Sequence, residues 1–500
     1  MKIKMRYLAN SAMLLLALSL GGCSNFLDRE PYSEPIDEGY WNSQEDAESA
    51  VAGTYGLLRA ALANHSAYYA YGDIAGTNVI NKFEYEDEDW NQMNQFNLDY
   101  AVAASETDRP IKQLRNYQLF YRIINQCNRS LRKIGNMGDD LFDDNDKAKL
   151  LGELYFLRAY SYFTMYRIWG EVPIVTVSPD DVINSDYVAR SPLADVAALI
   201  YGDLEEARVR LPWDYEQNED FAVRANKGVV FATLAHMAAW DKDYNKCVAA
   251  CDSILNSNVY SFEIADNLEN IYKNDSKELI FQLFFNSEAE APDASSDIQY
   301  TTVFFLDILA SPYLTNAVSK EKPNKFVNTT FVSNIYSDSA DIRRERFFGT
   351  ATGGDLIPTK YSDIQIESAS SKSIYCQNNY VIFRLADIML LKAEALTAQG
   401  KSSGVAIGLL NDVRRRAGIK DYDGAVALQR AILDERAREL YLEGHRFFDM
   451  VRYYNETGTS LFNNISESDM AKGKNYWPLD PDLFENNSVI RQTTFWQGKI

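Results

Sequence analysis

Residues that could transfer protons or bind a metal are few in this sequence. Its three histidines, His65, His236 and His445, lie far apart along the chain and form no His-Glu-x-x-His motif. The stretch 400–404, Gly-Lys-Ser-Ser-Gly, matches the G-x-S-x-G nucleophile elbow of hydrolases, but that motif needs a strand before the serine. Here a helical pattern precedes it, and the glycines fit the turn of a helical hairpin. The sequence therefore predicts a protein with no catalytic site, no cofactor and no metal site.

An acidic run offers one other chemistry, the binding of calcium through carboxylate oxygens. Because the chain has 71 acidic residues, a solvated acidic loop is the favoured interpretation of this run. The same abundance makes a pair of carboxylates uninformative as evidence for a glycosidase. The run consists of Glu84, Glu86, Asp87, Glu88 and Asp89.

The first residues have the layout of a secretory signal. Three basic residues stand within the first six positions, an apolar run covers 12–20, and Gly21 and Gly22 directly precede Cys23. The apolar run is too short to span a bilayer, which takes about 20 residues. The two glycines and the cysteine resemble the lipobox of bacterial lipoproteins, which implies lipid attachment to Cys23 after removal of residues 1–22. The alternative is an ordinary signal peptide with a chance cysteine.

The chain is strongly acidic. Its formal net charge of −21 becomes −24 once residues 1–22, with their three positive charges, are removed. Such a surface disfavours the binding of nucleic acid, anionic lipid and polyanionic ligands, unless a local basic patch exists.

The four cysteines after Cys23 are too few for disulfides to be the main stabilisation of the fold, and we interpret them mostly as buried apolar residues. Cys247 and Cys251 lie one helical turn apart, and the alternative that they take part in a disulfide in an oxidising compartment is left undecided by the sequence.

Most of the chain has the 3.6-residue periodicity of helices. Two pairs of predicted helices, 225–240 with 245–256 and 380–398 with 405–417, carry small residues where the helices meet. The two pairs span 32 and 38 residues, close to the length of about 34 residues that is typical of tetratricopeptide hairpins, which stack on one another. We therefore expect a mainly α fold with a tetratricopeptide-like helical-hairpin scaffold. The other predicted helices span 44–62, 111–134, 146–168, 193–211 and 427–443.

Two long stretches, about 63–105 and 257–378, are polar and aromatic and have few helical signals, although residues 279–285 could form a short strand. Loops this long are rare in compact domains unless they are functional. The expected organisation is a signal peptide at 1–22 and a single domain at 23–500. In that domain the helical scaffold carries two long irregular insertions that bind a ligand.

Several specific motifs follow one another along the chain. The most specific are Ile382–Ala398, Leu410–Gly418 and Glu443–Asp449, the last of which reads Glu-Gly-His-Arg-Phe-Phe-Asp. Earlier and later segments belong to the same series, namely Cys23–Pro31, Phe156–Phe163, Trp169–Pro173 and Trp477–Leu479. Together these motifs resemble the SusD/RagB family of Bacteroidetes outer-membrane lipoproteins, and the resemblance covers nearly the whole chain in the expected order.

The resemblance implies a non-catalytic binding protein with a SusD-like fold. Members of this family bind glycans at the cell surface and form a lid on a TonB-dependent outer-membrane porin of the SusC type, to which they deliver oligosaccharide. RagB-type members handle peptides instead, so an uptake subunit for peptides or protein fragments is the alternative. We expect a surface-exposed, lipid-anchored protein of the outer membrane, with a SusC-like porin and an oligosaccharide as its partners.

The family does not identify the ligand residues here, because its ligand loops vary. Sugars stack their apolar faces on aromatic rings while polar side chains hold the hydroxyls. Trp90, in a polar loop beside Asn91, is the best single candidate for such a platform; the alternative is that Trp90 anchors the loop in the core. The full set of candidates is Tyr71, Asp73, Tyr85, Trp90, Asn91, Tyr300 and Tyr313.

The charged cluster Glu443–Asp449 has a structural interpretation. Charged residues at this density, beside Phe447 and Phe448, must pair with one another if they are buried. We expect an arginine–carboxylate network, including Arg446, that pins the last long helix rather than a catalytic site.

Overall fold

The computed structural model describes residues 40–83, 88–178, 187–215, 220–273, 276–285, 303–316, 319–366, 374–401, 403–485 and 487–500. Within these ranges, no helix combines the length and the apolar character that crossing a membrane requires. The α-helices are α1 Gln44–Ala63, α2 Glu88–Asn94, α3 Pro110–Leu114, α4 Gln118–Asn136, α5 Asp146–Trp169, α6 Leu193–Arg210, α7 Lys227–Trp240, α8 Tyr244–Leu255, α9 Val303–Ile308, α10 Thr329–Ile335, α11 Arg343–Phe347, α12 Leu385–Ala398, α13 Ser403–Arg416, α14 Leu428–Glu439, α15 Arg446–Thr457, α16 Glu467–Ala471 and α17 Asp482–Glu485. The strands are β1 Ile80–Phe83, β2 Leu279–Leu283, β3 Lys325–Val327, β4 Phe348–Thr350, β5 Leu356–Pro358, β6 Ile364–Ile366, β7 Ile374–Cys376 and β8 Tyr380–Arg384. Short helical turns occupy Asn64–Ser66, Ala67–Tyr69, Ala70–Ile74, Asp139–Leu141, Ala265–Lys273 and Thr494–Trp496.

Helical hairpins form the scaffold, as the sequence predicts. Helix α5 packs on α6, α7 on α8 and α12 on α13, and α8 lies against α12, so that the two predicted hairpins touch. Ala232, Ala235 and Ala393 are buried on these helices, and such small side chains let helices approach closely. Helix α1 begins with a capping box, in which the side chains of Ser43 and Asp46 each accept a hydrogen bond from the other residue's backbone N–H. The predicted mainly α fold is confirmed.

Three predicted helices differ from the structure. Residues 380–384 form strand β8, because this buried run of β-branched and aromatic residues pairs with β2. The predicted helix 111–134 is divided into α3 and α4. The predicted helix 427–443 ends at Glu439, and Gly444, with a positive φ of 75°, lies in the turn that leads into α15.

The two insertions contain more regular structure than the sequence predicts. The first holds β1 and α2, and the second holds β2 to β7. Strand β1 pairs antiparallel with β3, so the two insertions meet at this ladder. The predicted strand near 279–285 is confirmed as β2, which pairs antiparallel with β8.

The four cysteines after Cys23 are apolar core residues. Cys127, Cys247, Cys251 and Cys376 are buried, and these four described cysteines form no disulfide. The interpretation of these residues as small apolar side chains is therefore confirmed, and Cys247 and Cys251 form no disulfide.

A buried network of ion pairs holds the second insertion on the scaffold. The carboxylate of Glu439 accepts hydrogen bonds from Arg343, Arg384 and Arg416 at 2.8, 2.8 and 2.5 Å. Arg384 and Arg416 also donate to Glu278, which directly precedes β2. All five side chains are buried. Because a buried charge is costly unless it is paired, this network fixes β2, β8 and α11 against α14.

The predicted arginine–carboxylate network near α15 is present with different partners. Glu443 accepts a hydrogen bond from Lys360 at 2.9 Å, and Asp449 accepts one from Arg436 at 2.8 Å. The Nε and Nη1 atoms of Arg446 have no hydrogen-bond partner in the described ranges, whereas the negative charge of Asp449 acts on this guanidinium, so the part of Arg446 in the network stays a prediction. The hydrogen bonds that hold α15 run from Arg436, on the preceding helix, to Asp449 and from Arg452 to Glu394 on α12.

Candidate functional site

The structure separates the predicted ligand residues by exposure. Cys23, Tyr85 and Tyr300 lie outside the described residues. Among the others, Asn91 and Tyr313 are half-buried, whereas Tyr71, Asp73 and Trp90 are buried. A side chain closed off from solvent cannot stack on a ligand or hold its hydroxyls, so these three have interior roles in this conformation.

Asp73 and Tyr71 dock the turn Ala70–Ile74 on the core. The Asp73 carboxylate accepts hydrogen bonds from the backbone N–H groups of Gly444 at 2.5 Å and Arg446 at 3.5 Å. Burial raises the pKa of Asp73 to about 7, although these two N–H groups oppose the rise. The Tyr71 hydroxyl donates to the backbone carbonyl of Leu114 at 2.7 Å.

The raised pKa of Asp73 predicts a specific pH dependence of stability. A carboxyl that binds its proton more tightly in the folded state favours folding at low pH, and this contribution is lost as the pH rises from about 4 towards 7. We therefore expect the difference in melting temperature between Asp73→Asn and the wild type to increase in favour of the variant from pH 5 to pH 8. Thermal melts of both proteins at the two pH values measure this gain. The exposed Asp99→Asn in the same insertion serves as the control, and an equal gain in both variants would contradict the prediction.

Trp90 anchors its segment instead of forming an open platform. Only 4% of the residue is exposed. The Lys325 ammonium lies 4.5 Å from the ring centroid, within the range of a cation–π contact. Lys325 in turn forms an ion pair with Asp307. The ring is thus covered by the second insertion, as the loop-anchor interpretation of Trp90 requires.

An open cleft of about 720 Å³ lies between α1, the first half of α5, residues 220–224 and the end of β2. Its size lies within the range of small-molecule sites, about 300–1,000 Å³. Its described walls carry both aromatic and charged side chains, in particular Tyr55, Arg59, Glu153, Tyr215, Arg224 and Phe284.

The floor of the cleft is a fixed hydrogen-bond network around Glu153. This buried carboxylate accepts hydrogen bonds from the Tyr55 hydroxyl at 2.7 Å and from Arg224 Nη2 at 2.5 Å. The Tyr55 hydroxyl also accepts one from the backbone N–H of Ala225 at 2.9 Å. Burial raises the pKa of Glu153, and the Arg224 guanidinium opposes this rise. Because Glu153 is fully engaged, it positions Tyr55 and Arg224 and does not serve as an acid or base.

The rim of the cleft presents apolar surface beside hydrogen-bonding groups. Phe284, which follows β2, is 38% exposed. Arg59 donates to the backbone carbonyl of Phe284 at 2.9 Å and so ties α1 to this edge. Tyr215 is half-buried, with the Arg224 guanidinium 4.7 Å from its ring centroid. Such a rim can bind a polar ligand that has apolar faces.

Sequence reasoning missed this cleft, because its walls come from segments far apart in the chain. One local signal was available. Glu153 lies within the apolar stripe of Leu150, Leu154 and Leu157. A carboxylate at such a position must find buried partners, which marks the site as one of specific polar contacts.

The fold also brings together histidines that are remote in the sequence. The rings of His236 and His445 stack at 5.5 Å, and His236 Nε2 lies 2.8 Å from Asp387 Oδ2. Potential metal ligands of these three residues lie within 4.8 Å of one another. However, Asp387 also accepts a hydrogen bond from Arg436 at 2.8 Å, and this guanidinium opposes a second cation. We interpret the cluster as a structural network in which burial lowers the pKa of His236 to about 4.

Comparison with known proteins identifies the family. The model described as "SusD family" matches residues 310–497, and the SusD-like model described as "Starch-binding associating with outer membrane" matches residues 25–238. The chain belongs to the SusD family. SusD-family proteins are non-catalytic binding proteins, so the prediction that this chain is not an enzyme is confirmed.

Individual relatives extend the match along the chain. SusD-like protein P38 of Formosa agariphila is 27% identical over 491 residues, which cover 88% of this chain and 91% of that protein. The starch-binding protein SusD of Bacteroides thetaiotaomicron is 41% identical over 127 residues, which cover 24% of this chain and 22% of that protein.

Solved structures confirm the SusD fold. A SusD homolog from Bacteroides thetaiotaomicron superposes with a TM-score of 0.78 at 22% identity, covering 92% of this chain and 100% of the homolog. NanU from B. fragilis superposes with a TM-score of 0.73 at 19% identity, covering 94% of this chain and 100% of NanU.

Proposed function

We propose that this SusD-family chain is a surface-exposed lipoprotein of the outer membrane that binds an oligosaccharide. It is anchored through lipid on Cys23, and it delivers its ligand to a SusC-like TonB-dependent transporter. The observation that carries the proposal is the match of residues 25–238 to the family described as starch-binding and associated with the outer membrane. The transporter partnership and the lipid anchor follow from the resemblance of the chain's motifs to the family and to the lipobox.

The cleft offers the surface that a glycan needs. An exposed phenyl ring supplies an apolar face for a sugar ring, while polar side chains of the same lining supply hydrogen-bonding groups. The floor is fixed before any ligand arrives, because Glu153 already engages Tyr55 and Arg224. Preorganisation of this kind lowers the entropic cost of binding. We place the principal site here, with the half-buried Asn91 and Tyr313 as candidates for a separate contact.

Loss of the exposed ring tests this site. We expect Phe284→Ala to weaken oligosaccharide binding at least about tenfold, because burial of a phenyl side chain contributes on the order of 1.5–3 kcal/mol and about 1.4 kcal/mol corresponds to a factor of ten. Isothermal titration calorimetry of the purified protein against a panel of oligosaccharides and peptides measures the affinity. Tyr187→Ala, which removes an aromatic ring that is 61% exposed outside the cleft, is the matched control.

The same titrations separate the proposed function from its alternative. Binding of an oligosaccharide that Phe284→Ala weakens and Tyr187→Ala leaves unchanged supports a glycan receptor with its site in the cleft. Binding of peptides alone would favour the RagB-like uptake subunit on the same scaffold. Equal affinities in both variants would place the ligand elsewhere on the surface.

A further inference from the structure

The basic groups of the cleft are already engaged by the protein. Arg224 binds the carboxylates of Glu153 and Asp220, at 2.5 and 3.2 Å. Lys149 forms an ion pair with Asp146 at 2.7 Å. The third cation of the described lining, Arg59, is held by the carbonyl of Phe284 and by further contacts. The described part of the lining therefore contains no cluster of cations directed at a ligand.

Carboxylates outnumber these cations among the described residues that line the cleft. Glu153, Asp146 and Asp220 are paired with the cations already named. Glu48 and Asp144 add two further negative charges, and both residues are exposed. The local charge thus has the same negative sign as the chain as a whole. The basic patch that a polyanionic ligand needs on so acidic a protein is absent from the described lining.

These charges select the class of ligand. Recognition of a carboxylate or sulfate relies on arginine or lysine groups that can donate charge-assisted hydrogen bonds to it. Here such a group would first have to leave its present partner, and the exposed carboxylates would repel the ligand at short range. An uncharged sugar has neither difficulty, because its hydroxyls can donate to Glu48 and Asp144 while its apolar face covers Phe284.

We infer that the cleft binds uncharged glycans and discriminates against glycans that carry uronate or sulfate groups. The inference rests on the proposed function, since it specifies the ligand of the same site. It goes further in assigning Glu48 and Asp144 as specificity residues, which select by repulsion as well as by hydrogen bonding.

The test uses oligosaccharides in matched pairs that differ only in charge. Oligogalacturonates are compared with the same oligomers after carboxyl reduction, and sulfated galactan oligomers with their desulfated forms, beside a panel of neutral glucans, mannans and xylans. We expect the glycans that bind the purified protein at low salt to be uncharged. We also expect Glu48→Gln with Asp144→Asn to improve the affinity for the charged members at least threefold relative to the uncharged ones, an effect that salt screens.

A second double variant distinguishes the effect of carboxylates in the cleft from the effect of the protein's overall charge. Asp412→Asn with Glu467→Gln removes the same number of exposed carboxylates outside the lining and should leave the discrimination unchanged. Preferred binding of a uronate or sulfated glycan that Phe284→Ala weakens would overturn the inference while leaving the proposed function intact. Failure of every glycan to bind would contradict the proposed function, and the inference with it.

Discussion

Replacement of Glu439 by alanine is expected to lower the free energy of unfolding by about 3–5 kcal/mol, the usual cost of removing one partner from a buried ion pair. Burial alone would raise the pKa of Glu439, but Arg416, Arg384 and Arg343 outweigh it and hold the pKa well below its usual range. The carboxylate is therefore ionised at neutral pH. Without Glu439, the buried guanidinium groups of Arg343, Arg384 and Arg416 lose a shared carboxylate partner, and their positive charges are less well compensated.

Chemical denaturation by urea, followed by circular dichroism, measures this loss. Asp434→Ala is the matched control, because Asp434 lies on the same helix, α14, in a partly exposed ion pair with Arg430. Pairs of that kind contribute about 0–1 kcal/mol. Similar losses for the two variants would show that the buried network does not hold the second insertion on the scaffold.

The helical scaffold could be predicted from the sequence, because periodicity and small residues are local properties. Helices α5, α6, α7 and α8 were predicted to within a few residues of their observed ends. The error at 380–384 has a tertiary cause. The apolar run fits a helix or a strand equally well, and the pairing partner that decides between them, β2, lies about a hundred residues earlier in the chain.

The candidate site was harder to predict, because exposure depends on contacts between distant segments. Trp90 stands in a polar loop in the sequence, yet Lys325 and β3 cover it. Conversely, Phe284 continues an apolar strand in the sequence, yet the strand ends just before it and leaves the ring exposed. The polar floor of the cleft needs Glu153 and Arg224, whose pairing no local pattern indicates.

The Glu-Gly-His-Arg motif shows how a family signature can be explained by backbone geometry. Gly444 has a φ of 75°, in the left-handed region that favours glycine. A Cβ atom at this position would lie 2.4 Å from Cζ of Tyr68. The Tyr68 ring cannot move away easily, since the single proton of its hydroxyl is shared between the carbonyl oxygens of Glu443 and Val381, which lie 2.6 and 3.0 Å from the hydroxyl oxygen. A Cβ atom on Gly72 would in turn lie 2.2 Å from the Gly444 carbonyl oxygen, so the two segments meet backbone to backbone.

Gly444→Ala is therefore expected to lower the free energy of unfolding by about 2–5 kcal/mol, from backbone strain and overpacking together. Gly458→Ala separates the two causes, because Gly458 has the same φ of 75° with no atom within 4 Å of the added Cβ. This control should lose only the strain energy, about 1–2 kcal/mol. Urea denaturation of both variants measures the difference. Equal losses would show that Tyr68 yields to the added methyl group. A larger loss in Gly444→Ala would show that the close contact between the first insertion and the turn before α15 contributes to the stability of the fold.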